Sequence, residues 1–139
     1  MTIVPPSIRR FRLVYGLVVL LTAVNVLLLW PGISATLARY PELSTGGRSL
    51  VVLTVLAGLA IPALIWWFAG WRRSRVARIA LVVVVAAALI FVLRALASGV
   101  TFNLRMAVSL TGFVLQVASL WLLFRPDARG WFARTGLRL

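Results

Sequence analysis

Residues 79–93 read Ile-Ala-Leu-Val-Val-Val-Val-Ala-Ala-Ala-Leu-Ile-Phe-Val-Leu, fifteen positions without a charge or a side-chain hydrogen-bonding group, framed by Arg78 and Arg94. A run of this kind lies in lipid only as a helix, because a helix satisfies its own backbone groups and an open strand in hydrocarbon has no partners. The four valines at 82–85 favour a strand in water, but the absence of partners overrides that propensity. The rest of the chain follows the same pattern. It has 139 residues, 63% hydrophobic and 12% charged. A soluble domain is about half apolar and about a quarter charged, so this chain lacks the polar surface to cover a globule. It reads as a single membrane domain over 1–139, with no room for a second.

Four apolar stretches emerge, at approximately residues 11–30, 50–71, 77–97 and 106–124. The first closes at Trp30 with Pro31-Gly32 after it. It has the order of a secretory signal, with arginines, an apolar run and then small residues. Its apolar run exceeds the ~7–15 residues of such a signal, so we read it as a retained span; cleavage would leave three. Residues 31–48 form the longest connection. There Ile33, Leu37 and Tyr40 recur at helical spacing, which fits a short interfacial helix as well as a plain connector. Pro62 sits inside the second stretch and predicts a kink between Gly58 and Pro62. Trp66, Trp67 and Trp71 mark one end of that stretch as an aromatic belt. The tail carries Pro126 and Asp127 at a helix-start position, then Trp131-Phe132 among arginines, the pattern of an interfacial anchor.

The cationic residues set the threading. All fifteen are arginine, against Glu42 and Asp127, for a net charge of +13. Arg9, Arg10, Arg12, Arg72, Arg73, Arg75, Arg78, Arg125, Arg129, Arg134 and Arg138 fall on one side of the predicted spans. Arg39, Arg48, Arg94 and Arg105 fall on the other. The connections are short, so the positive-inside rule places both termini in the cytoplasm and argues against dual topology. Arginine-only, Leu/Val/Ala-rich usage fits a GC-rich bacterium and its cytoplasmic membrane. Clusters of arginine beside apolar runs point to anionic lipid of the cytoplasmic leaflet as partner, not nucleic acid.

Chemistry is sparse. There is no cysteine and no histidine, which excludes disulfides and ligation through thiolate or imidazole, and no cofactor is expected. The spans hold no Asp, Glu or Lys, so the buried carboxylate that a proton- or sodium-coupled carrier relies on is missing. No nucleophile–base pair is present, which argues against an enzyme. Arg94 stands sixteen residues after Arg78, about 24 Å along a helix. In a hydrocarbon core about 30 Å thick it falls at the far rim, a candidate contact, with Arg105, for an anion or lipid headgroup. Arg72, Arg73 and Arg75 are the matching candidates at the near side.

Uncharged polar residues form stripes. Ser109, Gly112, Gln116 and Ser119 share one face of the fourth span; Tyr15, Thr22 and Asn25 share one of the first; Thr54, Gly58 and Pro62 lie on the second. Asn25, Thr54, Gln116, Ser109 and Ser119 are therefore the candidate intramembrane contacts. They serve either as interhelical bonds or as the lining of a polar path. The sequence predicts an all-α integral membrane protein: a four-helix bundle, N-in and C-in, with interfacial helices in the first outer loop and the C-terminal tail. Its expected role is that of a non-catalytic accessory protein packing with a membrane partner or a second copy. The alternative is a passive channel or carrier for a small neutral or anionic solute.

Overall fold

The computed structural model describes residues 4–40, 45–99 and 102–133. They form five helices: α1 (Pro6–Arg39), α2 (Thr45–Gly70), α3 (Arg75–Ala97), α4 (Leu104–Phe124) and α5 (Pro126–Ala133). The first four are long and apolar enough to cross a membrane. The chain is an all-helical, multi-pass bundle. Its exterior is apolar along the helices, with Leu13 73% and Phe91 71% exposed, the surface that lipid covers and water does not.

The helix starts follow local chemistry. Pro5 caps α1 through its carbonyl, which accepts from the Ile8 and Arg9 N–H groups at 3.1 Å each. Pro6 occupies the first turn, where a missing N–H costs nothing. Ser74 caps α3 by accepting from the Ala77 N–H at 3.3 Å, and Asn103 caps α4 by accepting from the Met106 N–H at 2.9 Å. The α2–α3 turn is tight, with Arg73 in the left-handed region at φ 57°.

Pro31 behaves differently from what the sequence pattern leads one to expect of it. The helix that the sequence reading closes at Trp30 continues through Pro31 to Arg39, and residues 31–39 extend α1 instead of forming a separate helix. A proline removes one backbone bond, whereas breaking the helix would strand several carbonyls at once. The nearby hydroxyls are satisfied on the helix itself: Ser34 donates to the Pro31 carbonyl at 3.0 Å and Thr36 to the Gly32 carbonyl at 2.8 Å. With 34 residues α1 spans about 51 Å and projects beyond a ~30 Å hydrocarbon core. Helix α2 likewise runs unbroken through the buried Pro62.

Consecutive helices are antiparallel. Helix α1 lies between α2 and α4, its contact with α4 being the more extensive; α3 closes the ring between α2 and α4, and α5 folds back on α1 and α4. Burial is one-sided. Among the described residues, every buried one falls in 7–18, 62–70, 77–85 or 119–132. Phe11, Tyr15, Val18, Ile65, Leu81, Leu123 and Phe132 belong to this core. It occupies the end of the bundle that carries the arginine clusters. The opposite half is held by contacts between partly exposed side chains.

Candidate functional site

The first candidate region is the seam between α1 and α4. Asn25 Nδ2 donates to Ser109 Oγ at 2.9 Å. Thr22 and Asn25 of α1 line one cavity with Ser109, Gly112 and Gln116 of α4, so the two polar stripes meet there. Thr22 spends its proton on its own helix, donating to the Val18 carbonyl at 2.8 Å. Asn25 Oδ1, Gln116 Oε1, Ser119 Oγ and the Tyr15 hydroxyl are buried with no hydrogen-bond partner among the described residues. Four unpaired polar atoms on one seam are costly in apolar surroundings, at about 1–3 kcal/mol each.

One cavity opens on this seam and a second lies beside it, between α3 and α4. The first, of about 260 Å³, is lined by Thr22, Asn25, Phe91, Ser109, Phe113 and Gln116, among others. The second, of about 360 Å³, is lined by Asn103, Arg105 and Met106 and shares Phe91, Val92 and Ser109 with the first. Together they make a vestibule from Arg105 at the start of α4 down to Gln116. Beneath it the packed side chains of Phe11, Tyr15, Leu81 and Leu123, all at 0% exposure, fill the bundle.

The second region is the arginine-rich end, where the helix termini are tied to one another by side chains from distant helices. Arg12 Nε and Nη2 donate to the Gly70 carbonyl at 3.0 and 2.8 Å, which satisfies an orphan carbonyl at the end of α2. Trp66 Nε1 donates to the Arg12 carbonyl at 2.7 Å. The indole lies over Gly16, where a Cβ would meet it at 3.4 Å, ordinary van der Waals contact. Arg75 Nε donates to the Phe132 carbonyl near the end of α5 at 3.3 Å. The Ser7 N–H, an orphan donor of the first turn of α1, donates to Asp127 Oδ2 at 3.2 Å. The Ser7 hydroxyl also lies against this carboxylate, though short of good hydrogen-bond geometry. Hydroxyl and N–H together hold Asp127 below the ordinary carboxylate range, with Arg125 adding to the effect.

Aromatic rings hold the guanidinium groups in place. Arg12 lies 4.6 Å from the Trp71 ring centre, Arg73 lies 4.1 Å from that of Trp131, Arg78 lies 3.8 Å from that of Phe124 and Arg125 lies 4.5 Å from that of Trp121. Trp71 itself meets Trp66 edge-on and stacks on Trp67.

The residues singled out from sequence divide into two groups. Asn25, Ser109 and Gln116 come together in one cavity, and Ser119 lies below them, fully buried. Thr54 is apart from them. It is exposed on α2 and donates to the Leu50 carbonyl of its own helix at 2.8 Å. Arg105 lines the vestibule mouth, while the exposed Arg94 lies in the last turn of α3 and lines neither cavity. Arg73 and Arg75 bind the α5 segment and Arg72 is exposed.

Sequence reasoning missed the ties of Arg12, Trp66 and Asp127. One signal was available: Asp127 is the only acid of the C-terminal tail, and Pro5-Pro6 marks a helix start in need of an anion. The described residues hold no cluster of metal-binding side chains. Glu42, Arg134 and Arg138 lie outside the described residues. No protein-family model, curated protein or solved structure matches the chain.

Proposed function

We propose that the protein is a non-catalytic interaction protein of the bacterial cytoplasmic membrane, with both termini cytoplasmic. It grips anionic lipid with its arginine-rich end and packs through its looser half against a membrane partner or a second copy. One observation carries this reading: the burial, the helix-to-helix ties and the guanidinium–aromatic contacts all concentrate at the arginine-rich end. A rigid, cationic platform suits adhesion to a charged surface, at about 1 kcal/mol per arginine near that surface. The opposite half keeps broad apolar faces, which a neighbouring helix can cover by simple packing.

Removing Arg72, Arg73 and Arg75 together tests the reading. The reading requires weaker binding to anionic liposomes and disturbed topology in reporter fusions; unchanged binding and topology contradict it. Because Arg73 and Arg75 also hold α5, the change Arg9→Gln with Arg10→Gln and Arg72→Gln provides a cleaner arm, in which only exposed charges are lost.

A second reading rests on the vestibule. The unpaired oxygens of Asn25 and Gln116, below Arg105 at the mouth, suit passage or binding of a small neutral or anionic solute that donates hydrogen bonds. Liposome flux of wild type against Gln116→Leu tests it. Movement of a solute that the variant abolishes supports passage, and no movement in either removes it.

A further inference from the structure

At the arginine-rich end, outside the seam, a cleft of about 390 Å³ lies between α3, the end of α4 and α5. It is lined by Arg75, Arg78 and Arg129 together with the apolar side chains Ile79, Val82, Phe124 and Phe132. We infer that this cleft is a binding site for one anionic phospholipid, its phosphate held by Arg75, Arg78 and Arg129 and its acyl chain laid along Ile79 and Val82.

Three observations converge on that ligand. Three guanidiniums meet with no carboxylate among the lining residues, since the nearby Asp127 faces the Ser7 N–H. Like charges gathered without an acid are mutually repulsive, and an anion between them relieves this. The Arg78 Nε is a buried donor without an acceptor among the described residues, and Arg129 is exposed beside it in the same cleft. Arginine's forked donors match phosphate oxygens in pairs.

The third observation selects a lipid over free phosphate. The apolar side of the cleft continues onto the outward face of α3, where Ile79 is 65% exposed and Val82 39%. A free anion would leave that wall uncovered. An amphiphile fills both halves, with its headgroup at the end of the bundle and its chain among the other lipids. Phe124 and Phe132 hold Arg78 from the flanks, at 3.8 and 5.7 Å from the ring centres.

The inference deepens the lipid-gripping part of the proposed function and rests on it. Its test counts bound lipid in place of overall adhesion. The whole chain, in neutral detergent micelles, is titrated with phosphatidylglycerol or phosphatidylcholine and the retained lipids are counted by native mass spectrometry. The expected result is one phosphatidylglycerol held saturably and no phosphatidylcholine. Arg129→Gln, at an exposed position of α5, should weaken retention about fivefold. The control Arg9→Gln with Arg10→Gln and Arg72→Gln removes three charges from the same end and should leave retention unchanged.

Equal loss in the variant and the control overturns the site, because bulk charge then explains the binding. Equal retention of phosphatidylcholine also overturns it. Competition by inorganic phosphate at the same concentration as the lipid overturns the lipid assignment in favour of a free-anion site. If the titration finds no saturable lipid while anionic liposomes still bind the protein, this inference fails and the broader reading survives. If liposome binding shows no anionic preference, the broader reading fails first.

Discussion

Single side chains decide how the helix ends meet. The Asp127 carboxylate caps the first turn of α1 from a helix 120 residues away in sequence. An anion at a helix N-terminus is favourable both through the bond to the orphan N–H and through the aligned peptide dipoles. The same contact holds the Asp127 carboxyl below its usual range, so its contribution is present above an ordinary carboxylate pKa near ~4 and is lost as pH falls through the lowered value. Asp127→Asn should therefore loosen α5 at neutral pH, read as faster hydrogen exchange of the α5 amides. Wild type, corrected for intrinsic exchange rates, should converge on the variant only in acid. Identical α5 exchange in the two proteins at neutral pH would show that the cap contributes nothing.

Trp66 offers a second test at this scale. Trp66→Phe keeps a ring but removes the donor to the Arg12 carbonyl, and a loss of about 1 kcal/mol in an SDS-unfolding titration is expected. Gly70 is tighter still, because a Cβ there would lie 3.2 Å from Arg12 Cγ. Gly70→Val should displace the Arg12 side chain and cost at least as much as Trp66→Phe in the same titration.

At the scale of elements, the α1–α4 pair is the spine of the molecule. Its seam is polar where the two stripes face each other. A double-mutant cycle between Asn25→Leu and Ser109→Ala should return a coupling of about 0.5–1 kcal/mol. Zero coupling would mean that the 2.9 Å bond does not hold the helices together.

How far these elements were legible varies with the physics. The four spans were readable because uncharged runs such as 79–93 leave the backbone no alternative to a helix. Spacing alone gathered Ser109, Gly112 and Gln116 on one face of α4 and placed Asn25 on a stripe of α1, since a helix turns about 100° per residue; that the two stripes meet depends on the packing of α1 on α4. The continuation of α1 through Pro31 was not readable. A proline is a stop signal in water, where freed carbonyls find solvent, and a much weaker one where helix neighbours and lipid leave them nothing else. The Arg12–Gly70 tie and the Arg75–Arg78–Arg129 cleft depend on which helices become neighbours, and no local pattern encodes that. Thr54 shows the converse. Its spacing placed it with the polar stripes, but α2 leaves Thr54 exposed and its hydroxyl turns back to its own helix.

For the molecule as a whole, asymmetry is the organising property. One end is packed with aromatics, tied across helices and strongly cationic. The other keeps a vestibule and exposed apolar faces, with Asn25–Ser109 as the long-range side-chain bond nearest to it among the described residues. The bundle should loosen from the vestibule end first. In a lipid-free detergent series, amides of residues 20–39 and 104–112 should exchange before those of 7–18 and 119–123, and the reverse order would be inconsistent with the observed core.

We propose that the interlocked arginine-rich end faces the cytoplasm. The chain contains no cysteine, so single cysteines can be placed without interference. Arg10→Cys and Arg129→Cys mark the arginine-rich end, and Arg39→Cys and Ser98→Cys mark the other. Intact cells are treated with a membrane-impermeant maleimide. Labelling at 39 and 98 in intact cells, with 10 and 129 labelled only after permeabilisation, is the predicted result. Labelling of 10 or 129 in intact cells would contradict the account, because the arginine platform would then face away from the cytoplasmic leaflet.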